Sequence, residues 1–268
     1  MRRACLHMIP NGAKIDDATA SVTLNGAVIA QYDPCPPRQS AGSPDAGYNI
    51  VAQVTATVDN PTTEVAYGTV PALPRSPVSG ENMFLWQGLL FPNGDLLQPL
   101  LNYLYTNSAC PGGGNCYSVN AFFFGNKSNL GYYTGGYPAS PGDGLYFASY
   151  AYQPGGWYMF AYDETNGYNS YAYASEATPG GTGATMFGNA LEPYNFSNCS
   201  ALPADWGYDF FDVMVYTGSI WNQYNPQNLS WWASGDLWQS WMAIPDCGYG
   251  GGYAASNYNA DAFITYTN

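Results

Sequence analysis

The chain has 268 residues, 46% of them hydrophobic, so it is long and apolar enough to bury a sizeable core. Only 9% of the residues are charged, and 19 acidic residues against 6 basic ones give a formal net charge of −13. This balance excludes nucleic acid and anionic membrane surfaces as partners, because their phosphate groups would be repelled. It fits a protein that works in acid, where carboxylates are partly protonated; the alternative is an extracellular protein that is simply acidic, as many are.

The first part of the chain predicts β-strands and one long connection. Residues 18–32 predict a hairpin around the turn dipeptide Asn25-Gly26, and residues 47–58 predict another strand. Residues 60–80 are interpreted as a surface connection because they contain four prolines, Pro61, Pro71, Pro74 and Pro77. We therefore expect an N-terminal β-element with its connection over residues 1–80, attached to a main domain over residues 81–268 within one compact unit.

The main domain predicts a succession of strands with almost no helical periodicity. Strands are expected at 83–91, 95–105, 116–124, 184–194, 208–217 and 261–267, with a three-strand meander over 144–175. Both faces of the meander carry aromatic residues, so one face is expected to be a tyrosine surface that meets solvent. A short helix is predicted near Leu237–Met242. This pattern predicts an all-β fold in which an antiparallel sandwich encloses the core.

The cysteines and sequons indicate a secreted protein. Six cysteines occur without a CxxC pair, at Cys5, Cys35, Cys110, Cys116, Cys199 and Cys247. They favour disulfides; proximity along the chain suggests 5–35, 110–116 and 199–247, although six cysteines permit 15 pairings. Glycosylation sequons begin at Asn126, Asn195, Asn198 and Asn228. The chain has no apolar run of membrane-spanning length. Its first residues lack a signal-peptide core, so we expect a mature or trimmed form.

Several classes of chemistry are excluded by the composition. The only histidine is His7, so a Cys/His zinc site lacks ligands. A Ser-His-Asp triad or a Cys-His pair would depend wholly on His7, which lies two residues from an expected disulfide and is interpreted as a surface histidine. No phosphate-binding glycine loop or dinucleotide fingerprint is present. We expect neither a metal nor a cofactor, which leaves carboxylate chemistry. Among the few glutamates, Glu192 lies between apolar neighbours on an expected strand, where loss of hydration would raise its pKa; the alternative is an edge-strand residue that points to water.

Three segments resemble the eqolisins, the glutamic peptidases of fungi. FLWQGLLFPNGDLLQPLLNY (84–103) resembles the family's Trp-x-Gly segment followed by the strand of its catalytic Gln, with Trp86, Gly88 and Gln98 at the matching positions. Residues 141–170 resemble a Gly-Asp-containing meander. GNALEPY (188–194) and the sequence after it resemble the Asn-Ala-Glu strand and the following Phe-rich strand, with Glu192 as the matching residue. The resemblance covers roughly residues 83–217.

The resemblance implies a disulfide-stapled concanavalin A-like or jelly-roll sandwich and an acid-acting endopeptidase. In it, Glu192 would activate water as general base, Gln98 would donate a hydrogen bond to the oxyanion, and Trp86 would belong to the substrate-binding residues. The chain departs from the family at Phe122, which stands where the family has an acidic residue, and at Leu90, which replaces an Asp.

Two other functions remain open on the sequence. The surplus of Tyr and Trp is typical of a non-catalytic module that stacks on sugar rings, with a glycan as ligand in place of a polypeptide substrate. The Tyr- and Gly-rich composition with few charges is also compatible with a structural extracellular protein that self-associates through sheet edges.

Overall fold

Two large β-sheets form the fold. The structure, a computed structural model, describes residues 5–36, 50–78, 80–104, 110, 115–153, 156–175, 183–218, 223–235 and 246–267. Strands are numbered in chain order throughout. The first sheet consists of β1 (Leu6–Ile9), β5 (Ala52–Val58), β7 (Asn82–Leu90), β8 (Leu96–Leu104), β9 (Cys116–Gly125), β10 (Leu130–Thr134), β11 (Tyr137–Ala139), β15 (Ala184–Tyr194) and β17 (Trp231–Gly235). Its strand order is β1-β10-β9-β8-β7-β15-β5-β17, and β11 pairs with β9.

The second sheet consists of β2 (Lys14–Asp16), β3 (Ser21–Leu24), β4 (Ala27–Gln31), β6 (Pro61–Thr69), β12 (Gly144–Gln153), β13 (Gly156–Asp163), β14 (Tyr168–Ser175), β16 (Gly207–Thr217), β18 (Gly250–Ala255) and β19 (Ala260–Thr265). Its order is β18-β19-β16-β6-β12-β13-β14-β2-β3-β4. Two short 3₁₀ turns lie at Cys199–Ala201 and Pro226–Asn228. Among the residues that the structure describes, no helix is long and apolar enough to span a membrane.

The core lies between the two sheets because side chains alternate along each strand. In β7, Met83, Leu85 and Leu89 are fully buried against the second sheet, whose inner face supplies Phe147 and Trp157. The intervening residues of β7 point to the outer face of the first sheet. A second apolar cluster forms there, built from Ile50, Trp86, Leu96, Leu100, Phe124, Phe187 and Ala190. The outer face of this sheet is therefore partly covered and offers a floor for a site.

The predicted sandwich is confirmed, and so is the tyrosine surface. Within the meander β12–β13–β14, the rings that alternate with the core residues are half-exposed on the outer face of the second sheet. Tyr150 and Tyr158 stack with ring centroids 6.1 Å apart, and Tyr158 lies 5.0 Å from Tyr173. The hairpin at Asn25-Gly26 is also present, between β3 and β4.

Two expectations about topology need correction. Residues 61–69 were expected within a surface connection, but Pro61–Thr69 is strand β6, paired with β12 and β16 in the interior of the second sheet. Pro61 is tolerated because it is the first residue of the strand. The sheets are also not antiparallel throughout, since β1 pairs with β10 and β2 pairs with β14 in parallel. The division into 1–80 and 81–268 stays a prediction; strands from both parts enter both sheets.

Three disulfides link the pairs that chain proximity suggested. They join Cys5 to Cys35, Cys110 to Cys116 and Cys199 to Cys247. The predicted helix at 237–242 lies outside the described residues.

Candidate active site

The structure places Glu192 and Gln98 on the outer face of the first sheet. Glu192 lies on β15 and Gln98 on β8, and β7 runs between these two strands. The registers align Glu192 with Phe84, and they align both Ala190 and Leu100 with Trp86. Since every second residue shares a face, Gln98 and Glu192 lie on the side that carries Trp86 and Leu100.

The carboxyl group of Glu192 is enclosed and hydrogen-bonded. The residue is 4% exposed. Nε1 of Trp86 donates to its Oε2 at 2.9 Å, and the hydroxyl of Tyr194 lies 3.5 Å from its Oε1. Burial raises the pKa of Glu192 to about 7, although the hydrogen bond from Trp86 and the nearby donors of Gln98 and Tyr194 act in the opposite direction. The rise expected from the apolar neighbours of Glu192 is therefore present.

Gln98 brings an amide to the same carboxyl group. Its side chain approaches Glu192 closely enough to favour the ionised carboxylate. Its Nε2 nevertheless has no hydrogen-bond partner of ordinary geometry within the described part of the chain. The Gln98 amide therefore approaches the carboxyl group without forming a well-formed hydrogen bond. Because Gln98 is only 3% exposed, this N–H donor is buried, unpaired and directed to the neighbourhood of Glu192.

Trp86 lies in the apolar cluster on the outer face of the first sheet. It is fully buried, with its ring 4.6 Å from that of Phe187 between centroids. Its indole N–H holds one carboxyl oxygen of Glu192, and the hydroxyl group of Tyr194 lies near the other. The assignment of Trp86 to the substrate-binding residues stays a prediction.

Gly88 lies where β7 comes too close to β8 to leave room for a side chain. A Cβ atom at this position would lie 1.9 Å from the carbonyl oxygen of Leu97 and 3.4 Å from Cα of Gln98. Such a contact with backbone is not possible without displacing β8. Glycine therefore permits the close approach of β7 to the strand that carries Gln98.

A groove opens beside the pair on the same face. Its volume is about 440 Å³, and it is lined by Leu6, Asn82, Phe84, Leu100, Asn102, Asn120, Phe122 and Tyr133. The three asparagines were not predicted from the sequence. Asn102 could have been found from the sequence, because it lies on the same face of β8 as Gln98 and Leu100. Asn82 on β7 and Asn120 on β9 join it only through the order of the strands in the sheet.

The four sequon asparagines differ in accessibility. Asn126, Asn195 and Asn228 are exposed, whereas Asn198 is half-buried and accepts a hydrogen bond from Ser200. Glycosylation stays a prediction for all four.

Solved structures of glutamic peptidases share this fold. A crystal structure of scytalido-glutamic peptidase with a transition state analog inhibitor has a TM-score of 0.54 at 14% identity, covering 82% of this chain and 98% of that chain. A crystal structure of Scytalido-glutamic peptidase with a peptide based transition state analog has a TM-score of 0.50 at 13% identity, with the same coverage. No protein-family model matches the chain, and no curated protein matches it in sequence. The chain thus has the sandwich fold of the scytalidoglutamic peptidases, in a highly divergent sequence.

Proposed function

We propose that this protein is a secreted peptidase of the glutamic type, with Glu192 as general base and Gln98 as oxyanion donor. The observation that carries the proposal is the convergence of Trp86, Tyr194 and Gln98 on one buried carboxyl group with a pKa of about 7. A base with a pKa close to neutrality combines basicity with an accessible ionised form. The disulfides fit an oxidising compartment.

The reaction needs only these two side chains and one water molecule. The Glu192 carboxylate takes a proton from the water, whose oxygen bonds to the carbonyl carbon of the peptide. The amide N–H of Gln98 donates to the oxyanion that forms. Glu192 then gives the proton to the amide nitrogen as the C–N bond breaks, which releases an amine and a carboxylic acid and restores the carboxylate.

The pKa of Glu192 changes the pH range expected for this activity. The acidic composition favoured an enzyme that acts at low pH. A carboxyl with a pKa of about 7 is ionised to only about one part in a thousand at pH 4, because each pH unit below the pKa lowers the ionised fraction tenfold. General-base activity should therefore rise with pH and level off above neutrality.

The test is digestion of an unfolded protein substrate across pH 3–9. Cleavage should appear in the upper half of this range, and Glu192→Gln should lower kcat at least about 100-fold, the lower bound for losing a general base. Gln98→Leu should lower kcat by a similar factor with little change in KM, because the oxyanion exists only in the transition state. Glu164→Gln, at an exposed turn, is the matched control. Full activity in Glu192→Gln would refute the assignment.

The tyrosine surface of the second sheet favours a second candidate, a carbohydrate-binding protein. Half-exposed rings with hydroxyl groups on the meander offer flat faces to sugars. Titration with soluble polysaccharides should then quench tyrosine fluorescence, and Tyr158→Ala should weaken the effect. Binding that depends on Tyr158 but no peptide cleavage at any pH would favour this candidate.

A further inference from the structure

The groove on the first sheet begins at the residues that adjoin the candidate catalytic pair. Phe84 is the cross-strand partner of Glu192, and Phe122 is the cross-strand partner of Gln98. Leu100 follows Gln98 on the same face of β8. Since paired residues have their Cβ atoms about 5 Å apart, a peptide bond placed between Glu192 and Gln98 would direct a neighbouring side chain into the groove.

The lining of the groove is neutral. Its walls are the apolar and aromatic side chains of Leu6, Phe84, Leu100, Phe122 and Tyr133, and its polar part is contributed by asparagines. One of these, Asn120, is fixed by a 2.8 Å hydrogen bond from its Nδ2 to the carbonyl oxygen of Thr134. Among the residues that the structure describes, no Asp, Glu, Lys or Arg lines the groove. An ionised side chain entering it would lose hydration without a counter-charge, whereas an aromatic or aliphatic one would gain from burial.

The far wall is supplied by the N-terminal strand. Leu6 lines the groove from β1, which pairs in parallel with β10 at the edge of the first sheet. The neighbouring residue Cys5 is bonded to Cys35, which anchors this strand. Met8, on the same strand, is 66% exposed and does not line the groove. Leu6 therefore closes the groove, and a substitution of Met8 on the same strand serves as the matched control.

We infer that the groove is the subsite that selects a large uncharged side chain, aromatic or aliphatic, beside the bond to be cleaved. Phe122 and Leu6 are its specificity-determining residues. The inference rests on the proposed function for the position of that bond, but the binding preference can be measured without cleavage.

The first experiment measures binding to Glu192→Gln, which leaves the groove intact. Fluorescent hexapeptides that differ at one central residue, Phe, Asp or Lys, are titrated at pH 7. The Phe peptide should bind at least about tenfold more tightly than the other two, as expected for burying an aromatic side chain. Adding Phe122→Asp should reduce the preference for Phe and improve binding of the Lys peptide. Adding Leu6→Ala should weaken binding of the Phe peptide several-fold, while Met8→Ala should leave it unchanged.

The second experiment measures kcat/KM of the wild-type protein on the same peptides. Cleavage with the same order of preference supports both proposals. Selective binding without cleavage refutes the peptidase function and leaves the subsite. Cleavage with equal kcat/KM for all three peptides refutes the subsite and leaves the function. In the binding experiment, equal affinities for the three peptides, or no measurable binding of any of them, would also overturn the subsite. This comparison uses Glu192→Gln alone and requires no substitution in the groove.

Discussion

The indole N–H of Trp86 donates a 2.9 Å hydrogen bond to Oε2 of Glu192 across 106 positions of sequence. Both partners are buried, at 0% and 4% exposure, so the bond forms where water cannot replace it. A donor to the ionised carboxylate lowers its pKa, while burial raises it. The pKa of about 7 results from these opposing effects. A substitution of Trp86 that lacks the N–H would remove the hydrogen bond and leave the effect of burial.

Trp86→Phe should therefore shift the pH dependence of activity. The substitution keeps most of the ring and removes the N–H, so the pKa of Glu192 should rise further. The midpoint of the rise in kcat/KM should move upward by about one pH unit, which is the order expected for one hydrogen bond to a charged group. Activity measured well above the new midpoint should recover most of its wild-type value.

The control for this change is Trp232→Phe, because Trp232 is 51% exposed and lies on β17, away from the pair. An unchanged midpoint in Trp86→Phe, together with a uniform loss of activity at every pH, would mean that the indole acts by packing alone.

Gly88→Ala should destabilise the protein and impair the site together. The new methyl group would meet the backbone of Leu97 next to Gln98, so β7 and β8 must separate. A loss of at least about 2 kcal/mol in the free energy of unfolding is expected from such overpacking, measured by denaturant titration. Gly135→Ala is the comparison, since among the described residues no atom beyond Gly135 and its chain neighbours lies within 4 Å of the added carbon. Equal stability of the two variants would argue against the close approach of the strands.

Local signals predicted the elements that depend on local structure. The Asn25-Gly26 hairpin follows from a turn in which both residues have positive φ, 51° and 79°, a conformation that this dipeptide favours. The raised pKa of Glu192 followed from its apolar neighbours. The strand Pro61–Thr69 was missed because its alternating pattern begins with a proline inside a Pro-rich stretch, and the later prolines determined the interpretation.

Other features have no local signal. Strands β1 and β2 have four and three residues, too few for a visible alternation, and each pairs in parallel with a strand more than a hundred residues away. The hydrogen bond between Trp86 and Glu192 also has no local signal, because it depends on the register of β7 against β15. The groove depends on β1, β7, β8, β9 and β10 at once, so only the sheet order brings its residues together.

Among the disulfides, Cys199–Cys247 should contribute more to stability than Cys110–Cys116. Their sequence separations are 48 and 6 residues, and a cross-link that closes a longer loop removes more entropy from the unfolded chain. The loop-entropy relation gives a difference of about 2 kcal/mol. Paired Cys→Ala variants compared by denaturant titration provide the measurement. A larger loss for the 110–116 pair would show that local strain or packing outweighs the loop term.

Glu64 makes the stability of the fold depend on pH. It is fully buried on β6, opposite Ser149 and Val215 on the flanking strands. Neither carboxyl oxygen has a hydrogen-bond partner among the residues that the structure describes. Burial raises the pKa of Glu64 well above its usual value, so the folded protein holds this proton more tightly than the unfolded chain. The resulting stability is fully present below the unfolded pKa, about 4.3, and is lost as the pH rises through the folded pKa.

Glu64→Gln should abolish this loss, because a neutral amide of the same shape has no proton to release. The melting temperatures of wild type and variant should agree near pH 3 and diverge toward pH 8, with the variant higher by at least about 3 °C, the shift that roughly 1 kcal/mol produces in a domain of this size. Glu164→Gln, at an exposed position, should follow the wild type at every pH. If the difference between Glu64→Gln and wild type were the same at pH 3 and pH 8, ionisation of Glu64 would not limit stability.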